Sequence, residues 1–335
     1  MSLNKSREIT SIHLREMKVP NDYEQVANLL NIIEPGSTTV ESLKEEDSQI
    51  PATSLLKRDE NGKLVGFGRT RVVAENIEGL IVGYGASFRA PWTDPGQIGS
   101  VFCVHPDFRG QGVGNMLLSH IEQWGIDHQA SELSSIVMDW IDDSLPFVQK
   151  RGFKVDAHIF DLVLDLNQYD NSGFEDSIEH ITNSGIKFIT LADLQSEDSV
   201  QKLYDLCEET FKDNPGQYGS IAPFEEWRKE FLPELVSRND WVFIAVDGEQ
   251  FIGVTVILTT EEDGEIYTNY TGVLRSYRGK GIAKALKRLS INTAISYGAH
   301  TMLTDAEENN APMQSINRSL GYIPGKGHYR IIKHL

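Results

Sequence analysis

Two glycine-rich hexapeptides carry the residue types and spacing in this chain that are best suited to binding chemistry. The first loop consists of Arg109, Gly110, Gln111, Gly112, Val113 and Gly114. The second loop consists of Arg278, Gly279, Lys280, Gly281, Ile282 and Ala283. Glycines allow several backbone N–H groups to turn toward one ligand, and each arginine adds a positive charge. Such loops are suited to holding an anion, typically a phosphate.

Each loop is predicted to join a strand to a helix. Predicted strands precede the loops at 101–104 and 266–273. Helically spaced residues follow them: Val113, Leu117, Ile121 and Trp124 after the first loop, and Ile282, Leu286, Leu289 and Thr293 after the second. The loops would therefore lie at helix N-termini, where free N–H groups and the helix dipole favour an anion. A tight turn without a ligand is the structural alternative.

Two other phosphate-binding motifs fit these loops less well. A P-loop needs Gly-x-x-x-x-Gly-Lys-Ser/Thr, which neither loop contains. A dinucleotide-binding fingerprint needs a third glycine where Asn115 and Lys284 stand. The sequence therefore favours a different kind of phosphate ligand.

The chain repeats itself at a long period. A spacing of 169 residues separates Arg109 from Arg278, and the same spacing separates Gly152 from Gly321. Each half reads as a strand, a helix, further strands, the loop and a second helix, which predicts a mixed α/β sheet covered by helices. We predict an N-terminal domain over 1–168, a linker over 169–185 and a C-terminal domain over 186–335.

Composition excludes several classes of partner. The 335 residues carry a formal net charge of −18, which disfavours nucleic acid. Only two cysteines occur, as expected in a reducing cytoplasm. The polar start resembles no signal peptide, and no apolar run of about 18 residues predicts a membrane span. The nine histidines lack metal-ligand spacing, so no metal is expected, and the oligomeric state is undetermined.

Both loops resemble the pyrophosphate-binding motif of the GNAT acetyltransferases, Arg/Gln-x-x-Gly-x-Gly/Ala. A second mark of that family is the Gly-aromatic pair at Gly152-Phe153 and Gly321-Tyr322. The second half also resembles a subgroup pattern. The matching residues are Thr304, Asn310, Met313, Ile316, Asn317, Leu320, Gly321 and Tyr322, and Ala306 departs from it. The resemblance covers about 9–166 and 186–335, in a mycothiol-synthase-like tandem arrangement. It implies two acyl-CoA N-acyltransferase domains of the α/β (α+β, mixed-sheet) class.

The resemblance implies an N-acetyltransferase that uses acetyl-CoA. The pyrophosphate would bind at a loop, and backbone near Val104 or Val273 would pair with the pantetheine arm. The expected acceptor is a primary amine of a small molecule. A non-catalytic acyl-CoA-binding or sensing protein is an alternative, and a protein or peptide N-acetyltransferase is another.

The second half is expected to be catalytic. Asn310 is predicted to bond the pantetheine arm or to cap a helix, whereas Ile141 takes its place in the first half. The tyrosine that often serves as general acid in the family is absent, because Val148 and Asn317 occupy its positions. We consider Tyr322 as a substitute acid. We also consider Glu265 as a base acting through water, with a solvated carboxylate as the alternative.

Overall fold

The computed structural model describes residues 11–50, 54–90, 93–172, 174–194, 196–215, 221–230 and 232–335. The chain forms two compact units. The first unit comprises Met1–Val137, Asp143–Asp156 and Arg330–Leu335. The second unit comprises Met138–Asp142 and Ala157–Tyr329.

The first part of the chain alternates strands and helices around the first loop. Its elements are β1 (His13–Glu16), α1 (Tyr23–Ile33), α2 (Val40–Gln49), β2 (Lys57–Arg58), β3 (Leu64–Val65), β4 (Gly68–Glu75), β5 (Ile81–Arg89), β6 (Gln97–Val104), α3 (Val113–Asp127), β7 (Glu132–Met138), α4 (Ser144–Gln149) and β8 (Lys154–Asp165). The first loop lies between β6 and α3, as the sequence predicts.

The remainder of the chain has a similar order around the second loop. Its elements are α5 (Phe174–Thr182), β9 (Ile186–Thr190), α6 (Glu197–Phe211), α7 (Phe224–Glu230), α8 (Leu232–Ser237), β10 (Val242–Asp247), β11 (Gln250–Thr259), β12 (Glu265–Val273), α9 (Ile282–Tyr297), β13 (Thr301–Glu307), α10 (Ala311–Ser319) and β14 (Ile323–His334). The second loop lies between β12 and α9.

Mixed sheet pairing builds the first unit. Its strands follow the order β1-β4-β5-β6-β7. Neighbouring strands are antiparallel except β6 and β7, which pair in parallel from Gln97 to Ser100. Helix α3 lies on this sheet because its predicted apolar stripe is buried, with Leu117 and Ile121 inaccessible to solvent.

The second unit has the same mixed architecture. Its strands follow the order β8-β13-β12-β11-β10-β9. Strands β12 and β13 pair in parallel over only three residues of β12, Glu265–Tyr267. Ile282 and Leu286 of α9 are buried as predicted, whereas Leu289 and Thr293 of the predicted stripe are only partly buried. The short parallel pairing means that the two strands diverge toward the second loop.

The compact units do not follow the boundaries predicted from the repeat. Residues 157–168 belong to the second unit, because β8 pairs with β13 from Ile159 to Asp165. Residues 330–335 belong to the first unit, and α5 lies within the predicted linker. The repeat marks duplicated sequence, whereas compactness follows strand pairing. The boundaries at 168 and 186 therefore stay a prediction about the duplicated halves.

The described ranges contain neither a membrane-spanning helix nor a cluster of side chains suited to a metal ion. None of the helices there is long and apolar enough to cross a membrane. No group of three or more His, Cys, Asp or Glu side chains in those ranges is arranged to hold a metal ion.

Candidate functional site

The two loops have nearly the same backbone conformation. In the first loop φ is +74° at Gly110 and +90° at Gly112, and in the second it is +77° at Gly279 and +81° at Gly281. Such positive values are strained for residues with a side chain but open to glycine. Gly112 and Gly281 are also the N-cap residues of α3 and α9. Each loop therefore leads directly into a helix, and the first N–H groups of that helix have no intrahelical partner.

The arginine of each loop closes the loop at its base. Arg109 Nε donates to the carbonyl of Val104 at 3.2 Å, and Arg278 Nε donates to the carbonyl of Val273 at 3.0 Å. A guanidinium has five N–H donors, so this bond fixes the side chain and leaves others available. These valines are the residues whose backbone was predicted to pair with a pantetheine arm, and in this structure their carbonyls hold the loop.

A carboxylate fastens the chain after α6 to the second loop. Asp213 Oδ2 accepts a hydrogen bond from Arg278 Nη2 at 2.9 Å. The same oxygen accepts one from Arg275 Nε at 3.2 Å. Arg275 first, and then Arg278, lower the pKa of the Asp213 carboxyl. The salt bridges therefore keep residues 213–215 beside the second loop.

Two cavities of the second unit form a cleft beside the second loop. The loop cavity has a volume of about 550 Å³, and it is lined by seven residues predicted to bind a cofactor: Val273, Arg278, Gly279, Gly281, Ile282, Ala283 and Asn310. The strand cavity has a volume of about 280 Å³ and lies where β12 and β13 diverge. Asn214, Pro215, Thr271, Asn310 and Met313 line both cavities. Because the two cavities share these residues, the cleft extends from the second loop to the gap between β12 and β13.

A β-bulge shapes the β12 wall of this cleft. Tyr270 lies opposite Val256 and Thr268 lies opposite Ile257, so Asn269 is an extra residue in β12. A bulge leaves its extra residue outside the ladder and bends the strand. The β5–β6 pairing of the first unit, from Gly83 to Phe88, has no such shift.

Backbone groups of β12 face the cleft beyond the bulge. The N–H of Leu274 donates to the carbonyl of Ile252 in β11. Because alternate residues of a strand direct their peptide groups to opposite sides, the peptide groups of Val273 and Thr271 point away from β11. The parallel pairing of β12 with β13 stops at Tyr267, so it does not reach Thr271 or Val273. The wall therefore offers peptide groups to an extended ligand that contains amides.

Asn310 has the predicted capping role, and it also lies in the cleft. Its Oδ1 accepts a hydrogen bond from the N–H of Met313 at 3.3 Å, which caps α10. Its side chain also lines both cavities, and its Nδ2 lies 3.5 Å from Asn214 Oδ1. The cap holds the amide at the junction of the two cavities.

Comparisons with known proteins agree with this architecture. The model of the acetyltransferase (GNAT) family matches residues 23–153 and 200–322. This chain belongs to the GNAT acetyltransferase family. Both sequence halves match the model, so the tandem GNAT arrangement and its α/β fold are confirmed, and the protein is an N-acetyltransferase.

Individual relatives of this GNAT protein are distant. The mycothiol acetyltransferase of Corynebacterium efficiens is 25% identical over 273 residues, which is 78% of this chain and 80% of the relative. A GCN5-related N-acetyltransferase from Sphaerobacter thermophilus has a TM-score of 0.69 at 18% identity, with 96% of this chain and 95% of that chain covered. A tandem GNAT protein from the clavulanic acid biosynthesis pathway has a TM-score of 0.64 at 15% identity, with 97% and 98% covered. The structural likenesses establish the fold.

The two loops of the GNAT protein differ in charge. Arg275, Lys280 and Lys284 surround the second loop together with Arg278. At the 169-residue spacing, the first half has Pro106, Gln111 and Asn115 in place of Arg275, Lys280 and Lys284. Four cations therefore belong to the second loop, whereas the corresponding positions of the first loop have only Arg109, with Arg151 bonded to Asn115 beside it. Cations at a helix N-terminus strengthen the attraction for a phosphate.

The two units also differ in the size of the side chains at equivalent positions. In the first unit the rings of Phe102 and Phe147 contact each other, with centroids 6.3 Å apart. The corresponding residues of the second unit are Thr271 and Ile316, and both line the loop cavity. Aromatic side chains of the first unit therefore stand at positions whose equivalents in the second unit line the loop cavity.

Neither of the residues predicted to be catalytic lines this cleft. Glu265 begins β12, eight residues before Val273, so roughly 26 Å of strand separate it from the second loop. It lines neither of the two cavities. Tyr322 is 3% exposed, and burial raises the pKa of its hydroxyl. Tyr322 also lines neither cavity. The structure therefore brings neither residue to the junction of the cavities.

Sequence reasoning missed Lys287, which lines the strand cavity from α9. A lysine within an amphipathic helix reads as a solvated residue, and this one follows the buried Leu286 directly. The repeat could have identified Lys287, because the first half has the apolar Leu118 at the corresponding position.

Proposed function

We propose that this GNAT protein transfers the acetyl group of acetyl-CoA to a primary amine of a small molecule, and that the second unit is the catalytic one. The observation that carries this proposal is the continuity of the cleft. The glycine cradle at Gly279–Gly281 opens into the loop cavity, and the loop cavity shares Thr271 and Asn310 with the strand cavity. One elongated ligand with an anionic end fits this path.

In this proposal acetyl-CoA is oriented by its pyrophosphate. The diphosphate binds the N–H groups at the start of α9, with Arg278 and Lys284 supplying positive charge. The pantetheine amides pair with the peptide groups of Thr271 and Val273, and Asn310 adds a side-chain bond. The thioester then reaches the gap between β12 and β13. There a β12 N–H released by the bulge at Asn269 stabilises the carbonyl oxygen as it gains charge.

The reaction is an acyl transfer between a thioester and an amine. The uncharged amine nitrogen attacks the carbonyl carbon, the C–S bond breaks, and its electron pair leaves with sulfur. The amine must lose one proton and the thiolate gains one. Holding both reactants in the cleft replaces a bimolecular encounter with a positioned attack.

Charge in the strand cavity supports an amine as the acceptor. Asp305 and Glu307 line this cavity, and Glu307 is 6% exposed. Two bonds from Asn309 orient the Glu307 carboxylate. Negative charge in a cleft concentrates cationic substrates, and the net charge of −18 acts in the same direction. The name of the mycothiol acetyltransferase relative supports a small molecule as the acceptor.

An amine screen tests this function. Purified protein is incubated with acetyl-CoA and a panel of amino sugars, diamines, amino acids and lysine peptides, and released coenzyme A is followed with a thiol reagent. Burial raises the pKa of the thiols of Cys103 and Cys207 to about 12, which keeps the protein's own signal low. We expect small primary amines to increase thiol release at least ~100-fold over acetyl-CoA alone, an effect of about 2.7 kcal/mol on the barrier.

Two results of the screen would contradict the proposal. Tight coenzyme A binding with no turnover on any amine or peptide would indicate a sensing protein. Turnover confined to peptides would indicate a protein N-acetyltransferase. Mass spectrometry of the product, showing one added acetyl group on nitrogen, is the control for simple thioester hydrolysis.

A further inference from the structure

Lys287 places a buried amine in the wall of the strand cavity. Its side chain is 1% exposed, and it projects from α9, the helix that begins at the second loop. Its Nζ has no hydrogen-bond partner among the residues that the structure describes. A buried, unpartnered amine is rare in proteins, because it loses the hydration of three N–H donors.

Packing does not explain this lysine. The first unit has Leu118 at the same position of α3, and Leu118 is 2% exposed. The same GNAT fold therefore accepts an apolar side chain at this place. Leaving a buried polar group unsatisfied costs roughly 1–3 kcal/mol, and more for a charged group. The second unit retains an amine that lowers its own stability, as groups at functional sites often do.

Two other positions of the second unit show the same replacement of an apolar residue by a polar one. Asn317 and Tyr322 are buried, and the amide of Asn317 lacks hydrogen-bond partners within the described ranges. The first unit has Val148 and Phe153 at their positions, both buried. Asn317 also stands where the family resemblance predicts a tyrosine acid. The second unit therefore has polar side chains at three buried positions, those of Lys287, Asn317 and Tyr322, that the first unit fills with hydrocarbon.

The charges around the amine set its protonation. Burial lowers the pKa of Lys287 to about 7, and the Asp305 carboxylate on β13 opposes that shift. Glu307, on the same strand, lines the same cavity. The ring of Tyr322 lies 5.3 Å from Nζ, and Lys284 is one turn earlier on α9. The amine can therefore exchange its proton near neutral pH, where general acid–base groups are most effective.

We propose that Lys287 is the proton-transfer residue of the second unit, an inference that rests on the proposed acetyl transfer. As the acceptor nitrogen bonds to the thioester carbon, the neutral amine of Lys287 takes the proton that this nitrogen loses. As the C–S bond breaks, the Lys287 ammonium gives that proton to the departing sulfur. The lysine ends the cycle neutral, and no other reactant is needed. This role supplies the proton donor that the absent tyrosine would otherwise provide.

The test compares Lys287→Leu, which installs the residue of the first unit, with Leu118→Met as a matched control. For Lys287→Leu we expect kcat to fall at least ~100-fold, while the dissociation constant for coenzyme A changes less than ~3-fold. The Tm should equal or exceed that of the wild type, because an unpartnered amine is removed. Activity of the wild type should rise with pH through about 7, because the neutral amine of Lys287 is the base. This rise in activity should be absent from Lys287→Leu. Leu118→Met should keep the wild-type profile.

A second readout is independent of catalysis. In protein labelled with ¹⁵N-lysine, the Nζ resonance absent from Lys287→Leu should titrate with a midpoint near 7. A midpoint above 9, an unchanged kcat in Lys287→Leu, or a lowered Tm for that variant would overturn the inference. If the wild type acetylates no amine, the proposed function fails, and the NMR titration still tests the state of Lys287.

Discussion

Gly281→Glu is expected to abolish acetyl transfer, lowering kcat/KM by roughly 1,000-fold, or about 4 kcal/mol of transition-state binding. Gly281 is the N-cap residue of α9 and lines the loop cavity. A glutamate there places a negative charge where the diphosphate is proposed to bind. Steady-state kinetics with varied acetyl-CoA measure the effect.

Gly112→Glu is the matched control for this substitution. Gly112 is the N-cap residue of α3, and its φ of +90° is close to the +81° of Gly281. A Cβ at Gly112 meets nothing within 4 Å, and at Gly281 the nearest atom is at 3.8 Å, so backbone strain and space are alike. We expect activity within ~3-fold of the wild type. If Gly112→Glu were the inactive variant, the assignment of catalysis to the second unit would be reversed.

Ile316→Trp is expected to raise the KM for acetyl-CoA roughly 30-fold, or about 2 kcal/mol, with a much smaller change in kcat. Ile316 on α10 lines the loop cavity, and the first unit has Phe147 in its place, in contact with Phe102. A larger aromatic ring would therefore narrow the proposed pantetheine path without touching the strand cavity. The split between KM and kcat separates this variant from Lys287→Leu.

Phe147→Trp serves as the control for Ile316→Trp. It enlarges an aromatic side chain at the corresponding position of α4, where a ring already stands. Its KM for acetyl-CoA should stay within ~3-fold of the wild type. Equal effects of the two substitutions would contradict a binding path confined to the second unit. Thermal melts of both variants exclude unfolding as the cause.

Local sequence signals predicted much of the fold and the phosphate-type loops. Gly110, Gly112, Gly279 and Gly281 adopt the positive φ values that only glycine accepts readily, and these depend on a few adjacent residues. The stripe of Ile282 and Leu286 likewise reports a helix through its own spacing. Pairing between distant strands carries no comparable local signal. The grouping of β8 with β13 therefore could not be read from the sequence.

The prediction of catalytic residues was limited in the same way, because local sequence does not report how far apart two residues lie in the fold. Glu265 was chosen because it lies on the strand that leads to the second loop, but an extended strand separates its first and last residues by many ångströms. The bulge at Asn269 shows in the sequence only as one extra residue: β12 needs seven steps from Ile266 to Val273, whereas β6 needs six from Ile98 to Val104. Lys287 would have been noticed only by comparison with Leu118.

A calorimetric titration with coenzyme A tests the central claim most directly. If the cradle at the start of α9 binds a diphosphate and the first unit does not, the wild-type chain should bind one coenzyme A. Gly112→Glu should retain that single site, and Gly281→Glu should lose it. Absence of binding at millimolar coenzyme A, or a single site that survives Gly281→Glu and disappears in Gly112→Glu, would contradict the account.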